Sequence, residues 1–148
     1  MPKWITRFFS LAEEVATWSK DPDCKVGVVI VSPDKRLMTT GYNGFPAGIR
    51  DKRNRLTCKA VKNYFMVHAE VNAIVNARRD LTGWSLYSTK PPCLACVKAI
   101  IQAGIAAVYC PAIEETSSWK EENKMAMEML KEAQIQAFLI RDGVLNQA

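Results

Sequence analysis

The chain holds a single histidine, His68, and Glu70 follows it two positions later. A Cys-x-x-Cys pair, Cys93 and Cys96, comes further along, with Pro92 directly before its first thiol. One imidazole, two thiols and one carboxylate that need not be a ligand form the donor set of a catalytic zinc site. Such a site has three protein donors and an open fourth position. A fold that uses these groups together must bring residues 68–70 and 92–96 to one point. Both segments open predicted helices, where unpaired backbone N–H groups and the positive dipole end favour thiolates and carboxylates. Pro92 suits such a start, because it gives up an N–H that would go unpaired there.

Each piece alone has a plainer reading. A lone histidine beside apolar residues is more often a core residue, and a lone Cys-x-x-Cys can be redox-active or simply buried. A purely structural zinc takes four protein ligands. Cys24, Cys58 and Cys110 could offer the fourth, but they lie outside any ligand-like spacing and read as small buried hydrophobes. Glu70 discriminates between these readings. A structural site has no use for it, whereas a catalytic one needs a group to take and return a proton.

The remaining order reads as one α/β domain over residues 1–148. Ile5, Phe8, Phe9, Ala12, Val15 and Ala16 recur at helical spacing, predicting a first helix over 4–19. Residues 25–31 and 36–42 predict an antiparallel hairpin around Ser32-Pro33-Asp34. Residues 43–64 show no clean period and read as a long functional loop. Helices are expected over 68–79, 93–103 (stopped by Gly104) and 120–133, with strands over 84–88, 106–110 and 135–140. Alternation after the hairpin implies a five-stranded mixed sheet with helices packed on it.

With 49% apolar residues the chain can build a real core. No apolar run reaches membrane-spanning length, and Met1-Pro2-Lys3-Trp4 lacks the apolar stretch of a signal peptide. A cytoplasmic protein without membrane attachment is expected. Five cysteines including a Cys-x-x-Cys suit metal binding better than a disulfide framework. The net charge of +5 is concentrated in residues 50–62, where Arg50, Lys52, Arg53, Arg55, Lys59 and Lys62 face only Asp51. Such a segment suits either a phosphate-bearing ligand nearby or a solvated loop.

From Trp18 to Ile140 the chain resembles the deoxycytidylate deaminase branch of the zinc-dependent cytidine deaminase superfamily. The resemblance rests on SKDPDCKVGVVIV, GYNGFPAG, HAEVNAI and KPPCLACVKAIIQAGI. H-x-E paired with P-C-x-x-C is an established zinc deaminase signature, so this matches a known pattern. That signature does not choose a substrate; GYNGFP after the second strand is the narrower signal. The branch often has tyrosine three residues before the histidine, where this chain has Phe65.

The resemblance implies a cytidine deaminase-like three-layer α/β/α fold. It implies hydrolytic deamination of dCMP to dUMP and ammonia, supplying dUMP for thymidylate synthesis. His68, Cys93 and Cys96 would hold Zn2+, and Glu70 would shuttle protons to the ring nitrogen and the leaving ammonia. Asn43 would contact the sugar hydroxyl, although Asn-Gly is also a common turn dipeptide. Ala69 would touch the substrate, and Ser19 and Lys20 would serve the 5′-phosphate, with Arg50, Arg53 and Arg55 as further cations. Branch members are commonly hexamers, activated by dCTP and inhibited by dTTP with Mg2+; Gly44, Phe45, Pro46 and Asp51 would meet that effector here. A rival with the same chemistry is a deaminase of tRNA or single-stranded DNA. The basic segment favours it and GYNGFP opposes it; its mark would be salt-dependent oligonucleotide binding.

Overall fold

The computed structural model describes residues 1–148. In chain order the elements are α1 (Lys3–Ala16), β1 (Gly27–Val31), β2 (Met38–Tyr42), α2 (Arg53–Thr57), α3 (Lys59–Phe65) and α4 (Ala69–Ala77). They continue with β3 (Ser85–Ser88), α5 (Leu94–Gln102), β4 (Ala107–Pro111), α6 (Lys120–Glu132), β5 (Gln136–Arg141) and β6 (Val144–Gln147). All six strands form one sheet in the order β2-β1-β3-β4-β5-β6. The β3-β4 and β4-β5 pairs are parallel and the other three antiparallel.

β1 is buried along its whole length because both faces of the sheet are covered there. Val28 and Ile30 join Leu86, Val97, Ile100, Val108 and Leu130 under α4, α5 and α6. Val29 and Val31 point the other way, to Phe8, Ala12, Val15 and Tyr87 under α1. This is the expected three-layer arrangement, and no helix is long and apolar enough to cross a membrane.

Two glycines set how closely the hairpin is gripped. A Cβ at Gly27 would lie 2.0 Å from the Ala12 carbonyl oxygen of α1. One at Gly41 would lie 2.3 Å from both the Ala69 carbonyl oxygen and the Ala73 nitrogen of α4. Gly41 pairs with Val28 and Gly27 with Tyr42, so the two contacts fall on neighbouring rungs and opposite faces. No side chain could stand at either place without moving a helix.

The structure departs from the sequence-based expectation in four places. The sheet has a sixth strand, β6, folded back on β5 through Asp142 and Gly143, both at positive φ. The Asp-Gly dipeptide is a strong two-residue hairpin signal. Residues 43–64 are not one loop, for they contain α2 and α3. α2 buries no residue and α3 buries only Lys62, so neither carries an apolar stripe for periodicity to detect. The first helix ends at Ala16, not Ser19, because Ser19 turns its hydroxyl to the Asn43 carbonyl oxygen at 2.8 Å. Finally, Cys24 and Cys58 are exposed; of the three cysteines read as buried hydrophobes, only Cys110 is one.

Candidate active site

His68 and Cys93 occupy equivalent places: each is the extended residue that caps a helix, α4 and α5 respectively. The extended cap turns each side chain across the mouth of its helix, and the two mouths meet. His68 Nδ1 lies 3.3 Å from Cys96 Sγ and 3.4 Å from Cys93 Sγ. All three donor atoms fall within 4.8 Å of one another. Bond lengths of about 2.0–2.3 Å place the ligands of a tetrahedral zinc roughly 3.6–3.8 Å apart, so this triad fits the ion closely.

The charges fit as well. A hydrogen bond from Cys96 is the largest influence drawing the Cys93 thiol down to about 4. Cys96 is pushed up, since losing that shared proton would set two thiolates side by side in a buried place. The Cys93 sulfur holds the His68 imidazole above its usual value. The triad therefore shares a proton that a dication would displace.

Glu70 is the second residue of α4, in its first turn, and is buried. Its Oε2 accepts a 3.4 Å contact from Cys96 Sγ. Burial pushes its carboxyl above the ordinary carboxylate range. A carboxyl so tuned can carry a proton at one stage and accept one at another. Behind it, Glu122 of α6 accepts the Leu94 N–H at 3.3 Å, fixing the first turn of α5.

His68, Glu70 and Cys93 open on a cleft of about 310 Å³ whose far wall holds Asp21, Cys24, Val26, Asn43 and Asn63. That wall is a buried polar network. Asn43 Oδ1 accepts from the Val26 N–H at 2.8 Å, and its amide nitrogen donates to the Cys24 carbonyl at 2.8 Å and to Asp21 Oδ2 at 3.4 Å. Asp21 Oδ1 accepts from the Asp23 and Cys24 N–H groups and from Lys62 Nζ at 2.8 Å. Lys62 also pairs with the exposed Asp23. Burial pushes the Asp21 carboxyl up, but Lys62 and the two N–H groups outweigh it and hold it below the usual range. The same pairing raises Lys62.

The residues nominated from sequence are distributed unevenly. His68, Ala69, Glu70, Cys93 and Asn43 line the cleft; Ser19 and Lys20 do not. Ser19 is buried, bridging the Asn43 carbonyl and the Asp21 N–H. Lys20 is exposed and paired with Asp51 at 2.8 Å. Gly44 exchanges two backbone hydrogen bonds with Val67, and Phe45 packs edge-on against Phe65. Sequence reasoning did not single out Asp21, and it counted Lys62 only as one basic-segment charge. Trp119 and Lys90 also line the cleft and were not assigned to it.

A family model described as the cytidine and deoxycytidylate deaminase zinc-binding region matches residues 2–112. The chain belongs to this family. An uncharacterized deaminase of Aliivibrio fischeri is 40% identical over 136 residues, covering 90% of this chain and 91% of its own. The Homo sapiens deoxycytidylate deaminase is 38% identical over 112 residues, covering 72% of this chain; the match spans 63% of the human protein. Among solved structures, the apo dCMP deaminase of cyanophage S-TIM5 superposes with a TM-score of 0.73 at 26% identity, covering 93% of this chain and 97% of that one. The chain is thus a zinc-family deaminase, a hydrolytic class of enzyme, and its His-Cys-Cys triad suits the zinc that the family is named for.

Proposed function

We propose that this deaminase converts dCMP and water to dUMP and ammonia, supplying dUMP for thymidylate synthesis. One observation carries the reading: Glu70 is buried beside a His68–Cys93–Cys96 triad that is complete without it. A zinc ion held by those three residues would supply a nucleophilic water at neutral pH. Glu70 takes the proton that this water loses, holds it at Oε2, and passes it to the ring nitrogen next to the amine-bearing carbon. As the new C–O bond forms, the ring C=N double bond opens onto the protonated ring nitrogen. Glu70 then moves the remaining proton of the added hydroxyl to the amine, which leaves as ammonia as the C–N bond breaks and the C=O bond forms. The buried setting of Glu70 keeps bulk water from competing for these protons.

The choice of dCMP is supported by the relatives, since several named ones are deoxycytidylate deaminases. The S-TIM5 enzyme has also been solved with dCMP and dUMP. Regulation belongs to the proposal too: dCTP activates and dTTP inhibits, each with Mg2+, in a homo-oligomer for which a hexamer is favoured. The effector would meet Gly44, Phe45, Pro46 and Asp51. Gly44 is bonded to Val67, the residue before His68, so a ligand on this turn acts on the metal-binding histidine through one backbone bridge.

The test is a side-by-side assay of dCMP and deoxycytidine by loss of cytosine absorbance, with and without dCTP, using wild type and Glu70→Ala. Turnover of dCMP alone is expected, and Glu70→Ala should keep its zinc while losing turnover. Unchanged turnover in Glu70→Ala would overturn the mechanism. Turnover of neither compound by zinc-loaded wild type would point to an oligonucleotide substrate.

A further inference from the structure

The far wall of the cleft contains an acceptor that the turn asparagine does not provide. Asn43 is largely engaged: both amide hydrogens are donated, to Cys24 and to Asp21. Its Oδ1 uses one of its two acceptor positions on the Val26 N–H at 2.8 Å and carries no charge to strengthen a second bond. Asp21 stands beside it, buried, in the same wall. Its Oδ1 is saturated by three donors. Its Oδ2 receives a single contact, from Asn43, at 3.4 Å. A buried carboxylate oxygen so weakly satisfied favours a further donor. The cation paired with Asp21, Lys62, is committed to Oδ1 and to Asp23.

We infer that Asp21 Oδ2 accepts the sugar 3′-hydroxyl of the substrate, with Lys62 as the positioning residue that holds the carboxylate in place. This rests on the nucleotide reading above and moves the sugar contact from Asn43 to its neighbour. Asn43 touches Oδ2 only through its 3.4 Å contact; Lys62 and the Asp23 and Cys24 N–H groups hold the carboxylate through Oδ1. The Asp21→Asn variant is informative because its chemistry is forced. Three donors converge on the Oδ1 position, so the amide oxygen must occupy it, and a nitrogen takes the place of Oδ2. An acceptor becomes a donor at nearly constant shape.

The experiment uses zinc-loaded, full-length Glu70→Gln protein, which holds a nucleotide without consuming it. Calorimetry compares dCMP with 2′,3′-dideoxycytidine 5′-monophosphate, first with Asp21 intact and then with Asp21→Asn. With Asp21 intact, dCMP should bind about 10- to 100-fold tighter, as expected for a hydrogen bond to a charged group. Asp21→Asn should bring the ratio close to one. Equal affinities with Asp21 intact, or a ratio that survives Asp21→Asn, would overturn the inference. If Asp21→Asn does not fold, Asn43→Ala decides the question: the ratio persists if Asp21 is the acceptor and collapses if Asn43 is. Binding of neither nucleotide would overturn this inference and the nucleotide reading together; binding of both without discrimination would overturn the inference alone.

Discussion

The two ends of the cleft are built by different means. The metal end comes from two short motifs, His68-Ala69-Glu70 and Cys93 to Cys96, each fixed by the opening of one helix. The far end is gathered from four separate places: Ser19 and Asp21, Val26, Asn43, and Lys62 on α3. At the first end, geometry follows from local spacing. At the second, it exists only once a buried ion pair has closed. Chemistry and recognition should therefore fail separately when each end is disturbed.

The largest effect is expected at the metal end. Cys96→Ser should abolish zinc retention at neutral pH and reduce turnover by more than the roughly 10–100-fold that loss of an outer partner of a metal ligand costs. Metal analysis after gel filtration, beside the dCMP assay, checks it. Next comes Gly41→Ala, which changes no side chain of either end yet drives a methyl against the α4 backbone at Ala69 and Ala73. It should weaken zinc binding, read by chelator competition, and destabilise the fold by about 1–3 kcal/mol. Retention of wild-type zinc affinity would show that the metal end does not depend on helix placement.

Lys62→Met acts at the other end. Leaving Asp21 buried without its cation should cost about 3 kcal/mol in urea unfolding, while the folded protein keeps its zinc. Loss of zinc in this variant would contradict the separation of the two ends. The pH profile of that difference sharpens it. Asp21 is lowered in the folded state, so its contribution is present above the unfolded carboxylate value of about 3.9 and is lost as pH falls through the folded value. Lys62 is raised, so its contribution is present below the unfolded value of about 10.4 and is lost as pH rises through the folded value. The stability gap between wild type and Lys62→Met should be level in between and close at both extremes. The smallest signal is proton release: zinc binding at pH 7 should expel roughly one proton from Cys96 and a fraction from His68, measured by calorimetry in two buffers.

What the sequence disclosed follows the same division. His68, Glu70, Cys93 and Cys96 were legible because a helix start and a three-residue spacing are local facts. The hairpin and the βα alternation were legible because β1 and α1 carry unbroken apolar patterns. α3 was not, because what anchors it is the ammonium of Lys62, and a buried lysine looks in sequence like any other member of a basic run. Asp21 was hidden for a related reason: its place beside Asn43 depends on the chain between them turning back through the hairpin. β6 could have been read from Asp142-Gly143.

Gly41 has one more consequence. The reach of His68 is gauged by a strand position that carries no side chain at all. Because the contact is main chain against main chain, it has no rotamer to sample and no flexible atoms to absorb error. Gly27 does the same for α1 on the reverse side. The hairpin thus works as a spacer of fixed thickness clamped between two helices. A redesign that enlarged the cleft could change Asn63 or Trp119 freely, but it would inherit the calibration of its metal centre from those two empty positions.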